Sequence, residues 1–357
     1  MTSAPRDFLR RLPKTDLHCH LDGSVRPATA LALARELGIK LPADNAADLK
    51  RFVTVAPTCR SLKEFLDVFD LLYPLLRSPG AVERIAYELV SDCAAENIRH
   101  VEVRFAPSLQ EAPGFDTDAV VEAALKGLAR GRRDFGTTSA VIVCLFRSHG
   151  PAQNRRSFET LKKFFHPDPG ETPAVVGLDL AGDEARFPTL DYADFYEEAR
   201  TLGIYTTCHA GETTGTKNLE AALQLGVMRI GHGIRLLESP ALLQEAIRRR
   251  VPVEIGLTSN IMTKTVSDLG SHPALSFHRA GLPVTLNTDD RGIIGIDLTH
   301  EYEQALTLGF TLQELTALAA ASVDHLFMPE PRRTALKRRF TAEIESLAAT
   351  AEGGTRR

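Results

Sequence analysis

No run of 18 apolar residues occurs anywhere in the 357-residue chain, so it offers no candidate for a helix spanning a bilayer. An excess of positive charge is also missing. The 42 basic residues are outnumbered by 46 acidic ones, for a net charge of −4, which leaves no electrostatic footprint for nucleic acid. Cysteine is scarce and odd in number: five residues, at positions 19, 59, 93, 144 and 208, do not make a disulfide framework. The opening segment, Met1 to Asp7, lacks the apolar core of a signal peptide. A reduced, cytoplasmic protein without a membrane or nucleic-acid partner is expected. No low-complexity stretch and no short repeat interrupts a composition of 43% apolar and 25% charged residues, ordinary for a globular enzyme.

What is present is an alternation. Apolar runs stand at Thr15–His20, Ile98–Phe105, Ala140–Phe146, Val175–Leu180, Tyr205–Cys208, Arg229–Gly231, Val251–Ile255 and Val284–Leu286. Helical patterns lie between them, among them Pro27–Leu37, Gly80–Asn97, Asp116–Arg133, Tyr192–Leu202, Asn218–Leu225 and Pro240–Arg249. Continuous apolar strands alternating with helices make a parallel sheet covered by helices. Eight such units predict an α/β fold of the closed (β/α)8, or TIM, barrel type, with the chain 1–357 as a single domain. The first βα connection, nearly eighty residues, is predicted to be a helical insertion at the barrel mouth. It carries a capping-box pattern, Ser61-Leu62-Lys63-Glu64, and an apolar stripe with Phe65, Leu66, Phe69 and Leu72 at helical spacing. Beyond Thr311 a further pair of helices is expected, with Arg332 to Arg339 as a solvated face.

Catalytic groups of such barrels sit at the C-terminal ends of the strands. There the sequence places His18-Cys19-His20, Asp179-Leu180-Ala181-Gly182-Asp183-Glu184, His209-Ala210-Gly211-Glu212, Gly231-His232-Gly233 and Asn287-Thr288-Asp289-Asp290. On a strand, His18 and His20 project from one face and Cys19 from the other, which preforms half a metal site. His209 is the natural third nitrogen ligand and Asp289 the oxygen ligand. Three imidazoles and one carboxylate suit a single Zn²⁺ with room for a water. No lysine ends the fourth strand, which excludes a carbamate bridging two metals. Glu212 is placed to donate a proton, and His232, between two glycines, to act as a base or to orient the attacking water. Asp290 diverges from Asp289 and is free to reach substrate. This set describes hydrolytic displacement at an electrophilic carbon.

These five motifs, in this order, resemble the signatures of the adenosine deaminase family over residues of about 12 to 330. The resemblance implies zinc bound by His18, His20, His209 and Asp289, with Glu212 protonating N1 of the purine and His232 assisting attack at C6. It also implies Asp290 on N7, the Gly182 backbone on N3, Asp22 on the ribose, and Phe65, Leu66 and Phe69 as an apolar wall; His20 would line the substrate pocket as well. The implied reaction is hydrolysis of a cyclic amidine: adenosine or 2′-deoxyadenosine gives inosine-type product and ammonia, a step of purine metabolism. The H-x-E and P-C-x-x-C signature of the nucleobase deaminases is absent.

Two positions depart from the family pattern: Gly256 where Cys is frequent, and Arg291 where Pro is common. Arg147 and His149 follow the third strand, with Arg155 and Arg156 further on. Arg147 and Arg291 are read either as solvated rim charges or as a binding site for an anionic group. The second possibility suggests a modified adenine nucleoside such as 6-aminodeoxyfutalosine as an alternative substrate. Adenine or adenosine phosphates fit less well, because Asp22 suits a ribose hydroxyl and repels phosphate. An inactive barrel with a binding role is disfavoured by the intact Glu212 and His232.

Overall fold

In the computed structural model, residues 3–56, 58–213 and 215–354 are described; Met1 and Thr2 of the opening segment lie outside them. The first strand, β1 (Lys14–His20), is preceded by a helix over Ser3–Arg11. Lys14 joins the two. Its buried ammonium donates to the carbonyls of Leu9 at 2.7 Å and Leu12 at 2.8 Å, satisfying the helix end that the chain leaves as it enters the strand.

Parallel pairing then runs β1 to β2 (Ile98–Phe105), to β3 (Thr138–Phe146), to β4 (Val175–Ala181), to β5 (Tyr205–Thr206). A second run pairs β6 (His209–Ala210), β7 (Ile230–His232), β8 (Val253–Ile255) and β9 (Val284–Leu286), again all parallel. The predicted fifth strand, Tyr205–Cys208, keeps only Tyr205–Thr206, and a second short piece follows at His209–Ala210. Side chains cause the break: Tyr196 Oη donates to the Thr207 carbonyl at 2.9 Å, and Arg147 donates to the His209 carbonyl at 2.7 Å. The wall continues across it, because Thr207 N bonds Leu178 O at 2.9 Å and Gly231 N bonds Cys208 O at 2.8 Å.

Closure onto β1 uses two backbone bonds and one side chain. Asp289 N bonds His18 O and His20 N bonds Asp289 O, each at 2.8 Å, while Asn287 Oδ1 accepts from Leu17 N at 2.9 Å. The expected (β/α)8 barrel is therefore present, with the β-strand that carries His18 and His20 beside the one that leads to Asp289.

The helical punctuation follows the sequence closely. Pro27–Leu37 ends at Gly38, whose φ of 66° lets its N–H turn back to Ala34 and Arg35. The helix over Leu62–Leu66 is shorter than its apolar stripe suggests, giving way to 3-10 turns at Asp67–Leu71 and Tyr73–Leu76. Pro74 cannot donate to an extended helix, which accounts for the second turn. Ser61 Oγ does accept from Glu64 N, but the Glu64 carboxylate reaches Arg60 N rather than Ser61, so the box is not reciprocal. This segment folds over the barrel mouth as expected. After β9 come helices Leu298–Leu308, Leu312–Ser322 and Glu330–Gly354, the last two being the expected pair. Of the basic stretch, Arg333 departs from the solvated face and donates to Met328 O at 2.8 Å. Among the described residues, no helix is long and apolar enough to cross a membrane.

Candidate active site

A cavity opens at the C-terminal rim of the barrel, between the strand ends and the first insertion. His20, Asp22, Gly182, His209, Glu212, His232, Asp289 and Asp290 line its floor; Phe65, Leu66 and Phe69 form an apolar wall. All the motifs read from sequence converge here.

Strand geometry groups the imidazoles. The His18 and His20 ring centroids lie 5.2 Å apart on the same face of β1, while Cys19 is turned into the core with its Sγ 3.7 Å from Ser24 Oγ. The His209 ring sits 4.5 Å from that of His18 and 5.3 Å from that of His20. Asp289 Oδ1 is 3.2 Å from His18 Nε2 and 3.3 Å from His20 Nε2. Burial alone would raise the Asp289 pKa, but the facing imidazoles hold it well below the carboxylate range. Asp289 has φ of 59° and His232 of 63°, a left-handed conformation uncommon for such residues, and both aim into the cavity.

What holds each imidazole from behind decides what its front nitrogen can do. His18 Nδ1 faces Glu254 Oε2 at 2.9 Å, and His209 Nδ1 faces Asp179 Oδ2 at 2.9 Å. A carboxylate accepts, so a hydrogen belongs on Nδ1 and Nε2 is the atom left to ligate a cation. Burial and Arg104 disfavour charge on His18, but Asp289 and Glu254 outweigh them and raise its pKa to about 9. Arg104 bridges the two carboxylates, at 3.0 Å to Asp179 and 2.9 Å to Glu254. Arg229 adds a second cation on Glu254 at 2.6 Å, and the charges of Arg104 and Arg229 outweigh burial to keep the Glu254 pKa well below the ordinary value. Asp179 is likewise lowered against burial by His209 and Arg104. His20 Nε2 and His209 Nε2 face each other at 3.3 Å. Imidazole nitrogens converging beside an ionised carboxylate are the donor set of a cation. Ligand atoms of His18, His209, His232 and Asp289 all lie within 4.8 Å of one another, a set with His232 where the sequence placed His20. His20 Nε2 is itself 3.3 Å from Asp289 Oδ1 and from His209 Nε2, so five side chains stand close enough to compete for four places.

Glu212 follows a turn at Gly211, whose φ is 72° and where a Cβ would come within 2.7 Å of Leu219. Glu184 holds this turn by accepting from the backbone N–H of Gly211, at 2.9 Å, and of Thr213. Burial, then the negative charges of Asp289 and Glu184, push the Glu212 pKa up to about 8. It is therefore protonated at neutral pH. Glu212 Oε2 lies 3.7 Å from His232 Nε2.

Asp22 is buried, which raises its pKa to about 6, and accepts from Gln110 Nε2 at 3.1 Å. Asp290 Oδ1 is buried without a hydrogen-bond partner among the described residues and faces the cavity. Burial and the charges of Asp289 and Asp22 push Asp290 well up, so its carboxyl keeps a proton to donate. Gly23 makes room for it, since a Cβ there would stand 1.7 Å from Asp290 Oδ1. Gly182, with φ of 100°, lies against the Phe146 ring.

The arginines are a correction. Arg147 does not face the rim: it is 1% exposed and donates to Phe187 O at 2.6 Å, Thr189 Oγ1 at 3.1 Å and His209 O at 2.7 Å. Arg291 is buried against Glu96, with Glu96 also accepting from Thr299 N at 2.9 Å. Neither is a solvated rim charge; both are held by groups of the protein. Arg155 pairs with Glu198 at 2.6 Å and Arg156 with Glu111 at 3.4 Å on the outer surface, while His149 Nδ1 meets Ser108 Oγ at 3.0 Å. Sequence reasoning assigned no role to Glu254, Arg104, Tyr73, Ser259, Asn260 or His272. Charged residues inside apolar strands were the available signal for the first two. Tyr73 stacks on Phe69 at 5.6 Å at the cavity wall, and Ser259 Oγ donates to Asp289 Oδ2 at 2.6 Å. Gly256, the departure just past β8, would carry a Cβ 3.5 Å from that of Asp289.

The chain matches the model of the family described as Adenosine deaminase over residues 13–343. It is 35% identical over 333 residues to an adenosine deaminase of Lacticaseibacillus casei, covering 93% of this chain and 96% of that one. Among solved structures it is similar to an amidohydrolase from Burkholderia ambifaria with bound Zn, at a TM-score of 0.87 and 27% identity over 99% of this chain and 96% of that one. An Arabidopsis ADAL chain complexed with IMP aligns at a TM-score of 0.82 and 28% identity over 95% and 99%.

Proposed function

The chain belongs to the adenosine deaminase family, and from that membership we propose that it removes the 6-amino group of adenosine and 2′-deoxyadenosine by hydrolysis, releasing ammonia. The observation that carries this reading is the placement of a buried Glu212 across one cavity from a cluster of cation ligands. His18, His20, His209 and Asp289 would hold one zinc ion. The ion's chemistry is to lower the pKa of a coordinated water to about 7, so that hydroxide is available at neutral pH. Ser259 holds the second oxygen of Asp289, and Glu254 and Asp179 orient the imidazoles.

The chain's own groups do the rest. Glu212 gives its proton to N1, which draws electrons from C6 and readies that carbon for attack. His232 orients the attacking water from the neighbouring wall. Asp290 donates to N7 and the Gly182 N–H to N3, which fixes the purine in its plane, while Asp22 accepts from a ribose hydroxyl. Phe65, Leu66 and Phe69 exclude water over the ring.

Among the described residues the cavity lining contains Asp22, Glu212, Asp289 and Asp290 and neither Lys nor Arg, which favours an uncharged nucleoside over a nucleotide. The engagement of Arg147 and Arg291 within the protein removes the support for a carboxylate-bearing nucleoside such as 6-aminodeoxyfutalosine. Asp22 favours a nucleoside over free adenine. The five cysteines, all free and buried, fit a reducing, cytoplasmic setting. In this reading the chain is one barrel domain over 1–357. A panel of 6-aminopurine nucleosides compared by kcat/KM tests the assignment. Adenosine and 2′-deoxyadenosine should lead, with AMP, cytidine and guanosine not turned over. Turnover of no adenine nucleoside would sink it.

A further inference from the structure

The fifth group of the cluster, His232, is held differently from the others. Its Nδ1 lies 3.0 Å from Asn260 Nδ2, and Asn260 Oδ1 lies 3.2 Å from His272 Nε2. His272 Nδ1 in turn accepts from the backbone N–H of Ala274 at 3.1 Å. All three side chains are buried, at 2%, 0% and 4% exposure, so no solvent competes for these bonds. The backbone of Asn260 is pinned as well: its N–H bonds Gly256 O at 2.9 Å and its carbonyl accepts from Val266 N at 3.0 Å.

The direction of every bond in this chain is set from its far end. A backbone N–H can only donate, so His272 Nδ1 must present a lone pair. A neutral imidazole with a lone pair on Nδ1 carries its hydrogen on Nε2. That hydrogen goes to the only acceptor of the Asn260 amide, Oδ1, and turns the amide N–H₂ toward His232. His232 Nδ1 is thereby an acceptor, and the ring's hydrogen lies on Nε2, the atom beside Glu212.

We propose that Asn260 and His272 are positioning residues that lock His232 in the Nε2–H tautomer, making it a hydrogen-bond donor to the attacking oxygen and barring it from ligating the metal. The contrast with its neighbours is chemical. His18 and His209 have a carboxylate behind Nδ1, which leaves Nε2 to ligate a cation; His232 has an amide N–H₂ behind and so a hydrogen in front. This selects His18, His20, His209 and Asp289 from the five candidates. In the resting enzyme His232 cannot remove a proton through Nε2; it holds the oxygen nucleophile by donation while the attack on C6 proceeds. The assignment of His232 to the attacking oxygen rests on the deaminase reading above. The tautomer does not.

The test substitutes Asn260→Asp, which is nearly the same shape. The carboxylate still accepts from His272 but must also accept from His232 Nδ1, which moves the ring hydrogen to Nδ1 and leaves a lone pair in front. ¹⁵N NMR of histidine-labelled, metal-free protein should show the Nε2–H tautomer for His232 in the parent and the Nδ1–H tautomer in the variant. With zinc bound, kcat for adenosine should fall by about 10² to 10³, the loss typical of one misdirected donor to a developing charge. KM should stay within a few-fold and zinc content should remain one per chain. His272→Gln, which keeps an N–H at the same reach, should retain the Nε2–H tautomer and most of kcat. An Nδ1–H tautomer in the parent overturns the proposal, and so does an Asn260→Asp variant with equal or higher kcat, since that is the behaviour of a base improved by a carboxylate. Failure of the parent to deaminate any adenine nucleoside sinks the deaminase reading and leaves the tautomer result to be judged by NMR alone.

Discussion

A carboxyl group can serve as a general acid at neutral pH only if its surroundings keep the proton on it. Glu212 meets that condition through burial and through the like charges of Asp289 and Glu184, which together raise it to about 8. Glu212→Gln keeps the size and the hydrogen bonding and removes the transferable proton. General acid catalysis is worth about 10² to 10⁴ in rate, so kcat should fall by that order in steady-state assays while bound zinc is unchanged. A near-parental kcat would remove Glu212 from the proton transfer. Glu212 was legible in the sequence because it lies three residues past His209 on the far side of a glycine. Asn260 and His272 were not, because twelve positions separate them and only the folded rim places both behind His232.

At the scale of elements, the insertion between β1 and β2 supplies the cavity wall. Phe65 and Phe69 are 2% and 5% exposed and pack into the core, so truncating them would lower stability and substrate binding together. Leu66 is half-buried, lines the cavity and is the better probe. Leu66→Ala should raise KM for adenosine by about tenfold, the equivalent of about 1.4 kcal/mol of lost apolar contact, with kcat little changed. An unchanged KM would place the wall elsewhere. A second element-level prediction concerns the helix Leu312–Ser322, which opens on a true capping box: Thr311 and Glu314 bond each other's backbone N–H groups. The backbone N–H of Thr311 and the Arg279 guanidinium lower the Glu314 pKa to about 2. A depressed carboxylate contributes stability that is complete above its unfolded pKa of about 4.5 and is lost as pH falls through about 2. Chemical denaturation of Glu314→Gln across this window should therefore show a shallower acid limb than the parent, with the difference largest above pH 4.5. Parallel limbs would show that the cap carries no such charge. The first element was visible as an apolar stripe and the second only as one of the helices expected beyond Thr311. The break of the first into 3-10 turns was not, since apolar spacing alone does not distinguish a continuous helix from shorter turns that keep the same face buried.

For the whole molecule, the barrel interior is unusual in holding ions: Glu102, Arg104, Asp179, Arg229 and Glu254 are all 0–1% exposed. Buried pairs gain little net stability, because desolvation offsets their attraction. Here they orient two imidazoles, and a cation at the barrel mouth would complete the charge pattern. A ligand that binds only the folded state stabilises it by RT ln(1 + [L]/Kd), about 2.7 kcal/mol at a hundredfold excess over Kd. Removing zinc with a chelator should therefore lower Tm by several degrees, and adding zinc back should restore it. His18→Ala and Asp289→Ala should lack both the metal and this shift, whereas Cys19→Ser should keep both, because Cys19 points into the core. A Tm insensitive to chelator would argue against the ligand assignment.

The sequence by itself determined the architecture and the chemistry-bearing positions. Strand and helix periods are local properties, and in a parallel barrel every strand end arrives at the same rim, so reading the ends located His18, His20, His209, Glu212, His232, Asp289 and Asp290 together. What each of these groups can do was decided only by the tertiary structure, because protonation and tautomer depend on what lies behind a side chain. Glu254 and Asp179 leave Nε2 of two histidines to ligate a cation, and an amide turns His232 into a hydrogen donor. The same reason overturned the reading of Arg147 and Arg291. An arginine after a strand looks like a rim charge until the fold shows a backbone carbonyl or Glu96 occupying it. Partners distant in sequence leave no local period, and burial, which sets the energy of every charge, exists only once the chain has closed.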